Sequence, residues 1–290
     1  MCRLRNYLTT AQSTKSADLG MPKSPIFLST TILIKPLLLK PPMKLVLAEP
    51  RYFKDSLSII SELVGEVKIK AQNEGLEIVA MDPANVAMVI FKLLSSCFTQ
   101  YNVKEAEEIA VNLNSIKQIL RRANADDMLT LETTDDNKLK IQLKGTTTRS
   151  FSIPTLELED KEQRVPELVF PLRVDMSSEL LTNSVEDVSV VAESVTFLGE
   201  KDQLSVKAEG DLSKAFIEIR PDEETHIKTD SADKFKAKYS LEYLKKMIAG
   251  GKLSDRVTLY FNNDYPLKLE YKVVDRLMLS FILAPRVDND

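Results

Sequence analysis

The sequence is poor in the residues on which most enzyme sites depend. Its 290 residues include one histidine, two cysteines, eight glycines and no tryptophan. Cys2 and Cys97 lie far apart, so a disulfide framework is not expected and a reducing compartment is the default. No Cys/His cluster has zinc spacing, and neither a Gly-rich phosphate loop nor a G-x-S-x-G elbow is present. The sequence therefore gives no support to catalysis of these common kinds.

Acidic pairs are the remaining candidates for a metal site. They occur at Glu107-Glu108, Asp126-Asp127 and Asp135-Asp136. Two of the pairs fall in predicted turns or helix ends, where Asp bonds its own backbone, so solvated turns are favoured over a carboxylate-metal enzyme. The lone His226, in "PDEETHIKTD", is interpreted as a solvated loop residue. No catalytic residue, metal or cofactor is predicted.

The charge balance excludes a surface that is positive all over. The formal net charge is −4, with 28% charged and 43% hydrophobic residues, which is typical of a globular protein with a real core. A local basic face remains compatible with this sum, because the distribution of charge decides what a surface binds.

The first 42 residues differ from the rest. Their apolar run "PIFLSTTILIKPLLLKPP" is interrupted at Lys35-Pro36 and closed at Pro41-Pro42, so it is too short and broken for a membrane span. No small-residue cleavage site follows it, which disfavours the alternative of a signal peptide. We expect residues 1–42 to be a disordered extension or a mis-assigned start, with translation beginning at Met43.

An internal repeat organises the chain from Met43 onward. Amphipathic helices are predicted to begin near residues 51, 114, 177 and 241, about 63 or 64 residues apart, and each is associated with hairpin strands. The second helix is predicted over "NLNSIKQILRRANADD", residues 112–127. This predicts an α+β fold of two similar domains, residues 43–154 and 171–287, with helices on one face of antiparallel sheets. The acidic, Pro-punctuated segment 155–170 is the expected connector, and residues 288–290 are a tail.

A turn interrupts the apolar run "VAMDPANVAMVIF" at residues 79–91. Asp82-Pro83-Ala84-Asn85 has the residue types of a β-turn. The turn is expected to bring Met81 and Asn85 to the surface, with a buried strand from Val86 to Phe91 behind it.

Several motifs, in order, resemble the archaeal and eukaryotic sliding clamps of the proliferating cell nuclear antigen family. They are "MDPANVAMV", "NLNSIKQILRRANADD" followed by "LTLE", "PLKLEYKV" and "LAPRV", and the resemblance covers about residues 43–287. It implies two domains of the DNA clamp fold and three subunits in a ring around duplex DNA. It also implies a scaffold without catalytic activity that tethers DNA polymerase, flap endonuclease and DNA ligase through PIP-type peptides and is opened by a clamp loader.

A clamp that holds DNA without reading it should present basic helices to the phosphates. The second and fourth helices are basic, the first is neutral, and the third is acidic, with Glu179, Glu186 and Asp187. The expected DNA-facing residues are Arg51, Lys54, Lys117, Arg121, Arg122, Lys245, Lys246 and Lys252.

The resemblance also implies a partner-peptide pocket and a subunit interface. The pocket positions are Met81, Asn85, Val165, Pro166, Phe170, Pro266, Ile282, Leu283, Ala284 and Pro285. The connector departs from the family at Gln163 and Arg164, which can alter partner preference. The interface positions, on the edge strands "TTRSFSI" and "KAFIEI", are Arg149, Phe151, Ile153, Phe216, Ile217 and Ile219; the alternative is that both strands are internal.

The residues leave the composition of the ring open. Homo-trimeric and hetero-trimeric clamps share these motifs, and a specialised or checkpoint-type subunit is the nearest alternative function. Low similarity to eukaryotic forms favours an archaeal source and the cytoplasm, with the nucleus expected for a eukaryotic source. No membrane partner is expected.

Overall fold

The computed structural model describes residues 43–158 and 163–286, all within one compact unit. The expectations for residues 1–42 and for the tail lie outside the described residues. The first domain contains β1 (Lys44–Leu47), α1 (Arg51–Ile60), β2 (Glu66–Gln72), β3 (Gly75–Met81), β4 (Ala87–Leu94), β5 (Gln100–Asn102), β6 (Glu107–Asn112), α2 (Leu113–Leu120), β7 (Met128–Thr134), β8 (Lys138–Lys144) and β9 (Thr148–Pro154).

The second domain repeats this order of elements. It contains β10 (Leu172–Ser177), α3 (Ser178–Ser189), β11 (Ser194–Glu200), β12 (Gln203–Glu209), β13 (Lys214–Ile219), β14 (His226–Thr229), β15 (Phe235–Ser240), α4 (Leu241–Met247), β16 (Arg256–Phe261), β17 (Leu267–Val273) and β18 (Leu277–Leu283). The helices begin within one residue of the predicted positions, which confirms the repeat.

Local hydrogen bonds set the helix ends. The side chain of Asn112 accepts the N–H of Ser115 at 3.2 Å and caps α2, and Ser177 caps α3 through the N–H of Leu180 at 3.1 Å. The prediction that the second helix runs on towards Asp127 was wrong. It ends at Leu120, because the Asp127 carboxylate accepts the N–H of Asn124 at 2.7 Å and stabilises a turn.

The described residues form three antiparallel sheets. The first domain has a five-stranded sheet in the order β5-β1-β7-β8-β9, and the second has a four-stranded sheet in the order β13-β12-β11-β15. A nine-stranded sheet, β14-β10-β16-β17-β18-β4-β3-β2-β6, joins the two domains. The joint is the β18–β4 ladder, which runs from Leu277 opposite Leu93 to Leu283 opposite Ala87. The domains therefore share one continuous sheet.

The main core of the described residues lies between the helices and the inner faces of the sheets. Side chains such as Phe53, Leu57, Ile116 and Val185 from the helices pack with alternate strand residues, such as Phe91, in one buried cluster. The remaining alternate residues of the nine-stranded sheet form its outer face, on the side away from the helices. Four strands, β5, β6, β14 and β15, were not predicted from the sequence. Glu107 begins β6 and His226 begins β14, although His226 is exposed as expected.

Candidate docking surface and nucleic-acid interface

The turn after β3 is held by one buried carboxylate. Asp82 is 4% exposed and its oxygens accept the N–H groups of Ala84 at 3.1 Å and of Val86 and Ala87 at 2.6 Å. The N–H of Asn85 donates to the Asp82 carbonyl at 3.0 Å, and Asn85 adopts a φ of 57°. The predicted β-turn is confirmed, with Asn85 exposed and Met81 half-buried.

A hydrogen bond from the second domain completes the set around Asp82. The hydroxyl of Tyr243, on α4, donates to the Asp82 carboxylate at 2.7 Å. Burial acts to raise the pKa of Asp82, but the bonds from Ala87, Tyr243 and Val86 outweigh it and the pKa lies below its ordinary value. The same bond to Asp82, together with burial, raises the pKa of Tyr243 to about 12.

An apolar cluster on the outer face lies next to this turn. Met88, Ile90 and Ile282 are buried there, and Val79, Met81, Leu168 and Met278 pack against them. We call these seven residues the outer cluster. Of them, the sequence reasoning found only Met81 and Ile282. Met88 and Ile90 could have been predicted as well, because every residue of the strand segment "AMVIF" is apolar, which is typical of a strand that is buried on both faces.

The expected pocket residues divide between this surface and the core. Ile282 belongs to the outer cluster, whereas Leu283 is 1% exposed and lies in the main core. Strand alternation explains the difference, since successive side chains point to opposite faces, so Leu283 is not part of a surface wall. Ala284 continues the strand edge, with its N–H donating to the Val86 carbonyl at 2.9 Å.

The other pocket positions line or flank the outer face. Val165 and Pro166 are exposed, Pro266 and Pro285 are half-buried, and the Phe170 ring lies 5.8 Å from Tyr260 and 5.9 Å from Tyr265. A cleft of about 850 Å³ runs beside Met81 beneath the described part of the connector. It is lined by Val79, Met81, Leu158, Gln163, Arg164 and Val165, together with charged side chains of β2, β3 and β6.

The basic side chains of the first domain are partly engaged. Lys117 of α2 reaches α1, where it donates to Glu62 at 2.5 Å and to the Ser61 hydroxyl at 2.9 Å. The bond from Lys117 lowers the pKa of Glu62 below its usual value. Arg51 lies 3.7 Å from Asp55, and Lys54 reaches the Ala123 carbonyl at 3.5 Å. Arg121 and Arg122, just past the end of α2, are exposed.

The basic side chains of the second domain face acidic ones. Lys246 of α4 lies 2.9 Å from Glu242 and 5.3 Å from the Tyr243 ring centroid. Lys245 and Lys252 line a cleft of about 570 Å³ together with Glu179 and Glu186 of α3. The acidity of α3 therefore lies beside the cations of α4 and reduces the local positive charge.

Strands β9 and β13 are sheet edges, so the alternative that they are internal is excluded. Phe216 is 55% exposed beneath the ammonium of Lys207, 4.9 Å from its ring centroid. Phe151, Ile153 and Ile217 are half-buried and Ile219 is buried. The Arg149 guanidinium donates hydrogen bonds to the Asp127 carboxylate and to the Arg122 carbonyl. Two of the donors of this expected interface residue therefore have partners within its own domain.

Neither described range carries a helix that is long and apolar enough to cross a membrane. Within the same ranges, no group of three or more His, Cys, Asp or Glu side chains is placed to hold a metal ion.

Two family models account for the whole described chain. The N-terminal domain of proliferating cell nuclear antigen (PCNA) matches residues 43–163, and the C-terminal domain matches residues 164–286. The chain belongs to the PCNA family.

Named relatives and a solved structure agree with this assignment. The chain is similar to the DNA polymerase sliding clamp of Pyrococcus furiosus, at 34% identity over 248 residues, which is 86% of this chain and 100% of the relative. It is 35% identical over 249 residues to the clamp of Nanoarchaeum equitans, covering 85% of this chain and 100% of the relative. A crystal structure of PCNA from Thermococcus kodakaraensis matches with a TM-score of 0.79 and 27% identity, over 84% of this chain and 100% of that one.

In this PCNA-family chain, the apolar outer surface and the basic helices lie on opposite sides of the nine-stranded sheet. We call the turn at residues 82–85 the docking turn, after its expected role. The docking turn, the outer cluster and the end of β18 lie together on one face of the nine-stranded sheet, and the basic helices lie behind its other face. The residues expected to form the peptide pocket and those expected to contact DNA therefore lie largely on opposite sides of this sheet.

Proposed function

We propose that this chain, a DNA polymerase sliding clamp by family, closes with two further subunits into a ring around duplex DNA. The ring is a non-catalytic scaffold that keeps a polymerase and other DNA enzymes on their template. The observation that carries this proposal is the state of two of the sheet edges, β9 and β13. The nine-stranded sheet joins five strands of one domain to four of the other, and the free edges β9 and β13 end a five-stranded and a four-stranded sheet. A second copy can therefore supply the missing half of the same joint.

The repeat also gives the register of the proposed joint. The ladders run from β1 through β7 and β8 to β9 in the first domain, and from β10 through β16 and β17 to β18 in the second. When residues are traced from partner to partner along these ladders, Phe281 of β18 occupies the position in the second domain that Phe151 of β9 occupies in the first. Matching the hairpins in the same way makes Val89 of β4 correspond to Ala215 of β13. Phe281 lies opposite Val89 in β18–β4. We therefore place Phe151 opposite Ala215 of the next subunit, which sets Ser150 opposite Phe216.

The backbone hydrogen bonds are consistent with this register. The N–H of Thr155 bonds the Asn137 carbonyl at 3.0 Å, and the N–H of Gly210 bonds the Ser213 carbonyl at 2.9 Å. Because bonded pairs alternate along antiparallel ladders, the N–H and C=O of Ser150 point out from β9, and those of Phe216 point out from β13. The two residues set opposite each other are thus both free to pair.

A crosslinking experiment tests the ring directly. In a background without Cys2 and Cys97, Ser150→Cys with Phe216→Cys should give covalent dimers and trimers with a short thiol crosslinker, since bonded pairs lie about 5.5 Å apart at Cα. A matched pair, Thr148→Cys with Lys214→Cys, lies out of register and should react little. A protein that stays monomeric in both cases contradicts the ring.

The inner helices supply the proposed DNA contacts. Arg121, Arg122, Lys245 and Lys252 are exposed and carry charge without base-reading geometry, as sequence-independent phosphate contact requires. The proposal extends to Arg51, Lys117 and Lys246, whose ion pairs would exchange with phosphate contacts, and to Lys54, whose hydrogen bond to the Ala123 carbonyl would do the same. Binding should therefore depend steeply on salt.

The outer cluster supplies the proposed docking site for partner peptides. Its apolar side chains lie beside the turn at Asp82–Asn85, Val165 and Pro285, as an apolar plug in a groove requires. The partners proposed are DNA polymerase, flap endonuclease, DNA ligase and the clamp loader. The named relatives are archaeal, which supports action at the nucleoid in the cytoplasm; in a eukaryotic cell the same function would place the protein in the nucleus.

A subunit of a hetero-trimeric clamp is the second candidate. Native mass decides between the two, because a homo-trimer of the purified chain would weigh about 98 kDa, three times 32.7 kDa. A chain that stays monomeric alone but assembles with a second clamp subunit would favour the hetero-trimer.

A further inference from the structure

One row of side chains crosses the outer face at right angles to the strands. The ladder registers place its members opposite one another from strand to strand, in the order Met81, Met88, Ile282, Lys268, Tyr260, Arg173 and Lys228. We call this the outer row. Its first three members belong to the outer cluster, and its last four are cationic or aromatic. The apolar surface thus continues without a break into a basic one.

The basic half of the row is built around one aromatic ring. The Lys268 ammonium lies 5.1 Å and the Arg173 guanidinium 5.7 Å from the centroid of Tyr260. Phe170, at the end of the connector, packs against Tyr260 and against Tyr265. These contacts hold the two cations in place beside a rigid surface, so less conformational entropy is lost when an anion binds.

This part of an acidic protein is locally positive. The outer-face residues of β14, β10, β16 and β17 include five cations, and only two carboxylates lie among them, Asp175 and Glu270. The cations are Arg173, Lys228, Arg256, Lys268 and Lys272. The net charge of the whole chain is −4, so the patch is not a reflection of the composition.

The two carboxylates are already committed. Burial acts to raise the pKa of Glu270, but hydrogen bonds from Lys272 at 2.7 Å and Lys268 at 2.9 Å outweigh it and keep the carboxylate charged. Asp175 similarly accepts Arg173 at 2.9 Å and the Thr258 hydroxyl at 2.6 Å. Their charges organise the cations without cancelling the excess, which leaves the surface suited to an added anion.

We infer that the outer row binds partner peptides whose apolar plug continues into a stretch of Asp and Glu residues. The inference rests on the proposed docking function and adds the class of sequence that flanks the plug. Six strand spacings of about 4.8 Å separate Met81 from Lys228, so the row spans about 29 Å, or eight to nine extended residues. A nucleic acid strand matches this surface less well, because its phosphates gain nothing from the apolar half of the row.

Three peptides with one common plug test the inference. The plug of apolar and aromatic residues is extended, at either end, by eight acidic, neutral or basic residues, and fluorescence anisotropy is measured on the whole protein at low and high salt. The acidic peptide should bind at least about tenfold more tightly than the neutral one at low salt, with the advantage shrinking at high salt. Equal affinities of the acidic and neutral peptides would overturn the inference.

Variants locate the effect on the protein. Arg173→Gln with Lys228→Gln should remove the advantage of the acidic peptide and leave the neutral peptide unaffected. The control Lys104→Gln with Lys201→Gln, exposed cations outside the row, should keep the advantage. An advantage that survives the first pair overturns the inference. So does a single-stranded oligonucleotide that binds the row in place of the acidic peptide.

The proposed docking function fails in a different way. The neutral peptide should lose its binding when Met81→Lys places a charge in the outer cluster. If the neutral peptide does not bind the protein at all, or binds the Met81→Lys variant equally well, docking at this cluster is wrong. Loss of only the acidic advantage leaves docking intact and removes the inference about the row.

Discussion

The hydroxyl of Tyr243 donates a 2.7 Å hydrogen bond to the carboxylate of Asp82, from a position 161 residues later in the chain. Asp82 holds the docking turn of the first domain, and Tyr243 lies on a helix of the second domain beside Lys246. The bond therefore fixes the docking turn to a basic helix on the opposite side of the sheet. It supplements the β18–β4 ladder as a polar link between the domains.

Tyr243→Phe should remove this link and little else. A hydrogen bond to a charged partner contributes about 1.5–3 kcal/mol, so the free energy of unfolding should fall by an amount of this order. Asp82 keeps its three backbone donors, which limits the loss. Chemical denaturation at a fixed protein concentration measures the change. An unchanged denaturation midpoint would show that the bond adds nothing to stability.

Asp82 should also contribute to the loss of stability in acid. Its folded pKa is lowered, so its contribution is complete above the unfolded value of about 3.9 and is lost as the pH falls from there through the folded pKa. Tyr243→Phe should raise the folded pKa and narrow this window, which carbon NMR of the Asp82 carboxyl group can measure. The pKa of Tyr243, at about 12, predicts a second loss as the pH rises from about 10 towards 12. An Asp82 pKa that is the same in both proteins would contradict the assignment.

Ser152→Pro should prevent ring assembly without unfolding the domain. The N–H of Ser152 has the same outward direction as that of Ser150, so proline removes a donor from the proposed joint and none from the ladder with β8. Sedimentation should show monomers, whereas Ser152→Ala, which keeps the N–H, should sediment like the unchanged protein. A persistent species of about 98 kDa in the proline variant would refute the role of this edge.

Arg121→Glu with Arg122→Glu should weaken the hold on DNA while leaving the Lys117–Glu62 pair in place. Two phosphate contacts per subunit would become repulsive, so stimulation of a polymerase should fall most at low salt, and the deficit should shrink as salt screens these charges. Lys201→Glu, on a turn away from the helices, provides a charge control. Equal stimulation by the double variant and the control at every salt concentration would place these arginines outside the DNA path.

Substitution of Leu283, the last residue of β18, should have a different effect from substitution of Ala284 and Pro285, which follow it. Leu283→Ala leaves a cavity in the core, so it should cost about 2–5 kcal/mol of stability and change peptide affinity little. Pro285→Glu with Ala284→Glu should leave stability nearly unchanged and abolish peptide binding, because both side chains are partly exposed beside the docking turn. Retained micromolar affinity in the double variant would remove these residues from the pocket.

Periodic features were predictable from the sequence and long-range pairings were not. The four helix starts followed from apolar spacing, and the turn at Asp82 followed from residue types that favour local hydrogen bonds. The end of α2 was missed because a side-chain bond of Asp127 competes with the helix.

The candidate site shows the same division. Apolar side chains at Met88 and Ile90 were visible in the sequence, but only the strand order brings them beside Ile282 and Leu168. The ion pair between Arg149 and Asp127 is likewise set by the tertiary fold, so charge patterns alone did not reveal it. Leu283 and Ile282 could have been separated by strand alternation, which points neighbours to opposite faces.

The proposed ring contains two kinds of joint between sheets, one within each subunit and one between subunits, and they should depend differently on protein concentration. The β18–β4 ladder is closed within one molecule, so its opening free energy is independent of protein concentration. The proposed β9–β13 ladder joins the same kinds of strands between molecules, so the separation of subunits at this ladder obeys mass action. Amide hydrogen exchange at Ser150 and Phe216 should therefore slow as the protein is concentrated, while exchange at Ile90 and Ser280 stays constant. Dilution therefore weakens the ring at the ladders between its subunits and leaves the ladder within each subunit unaffected.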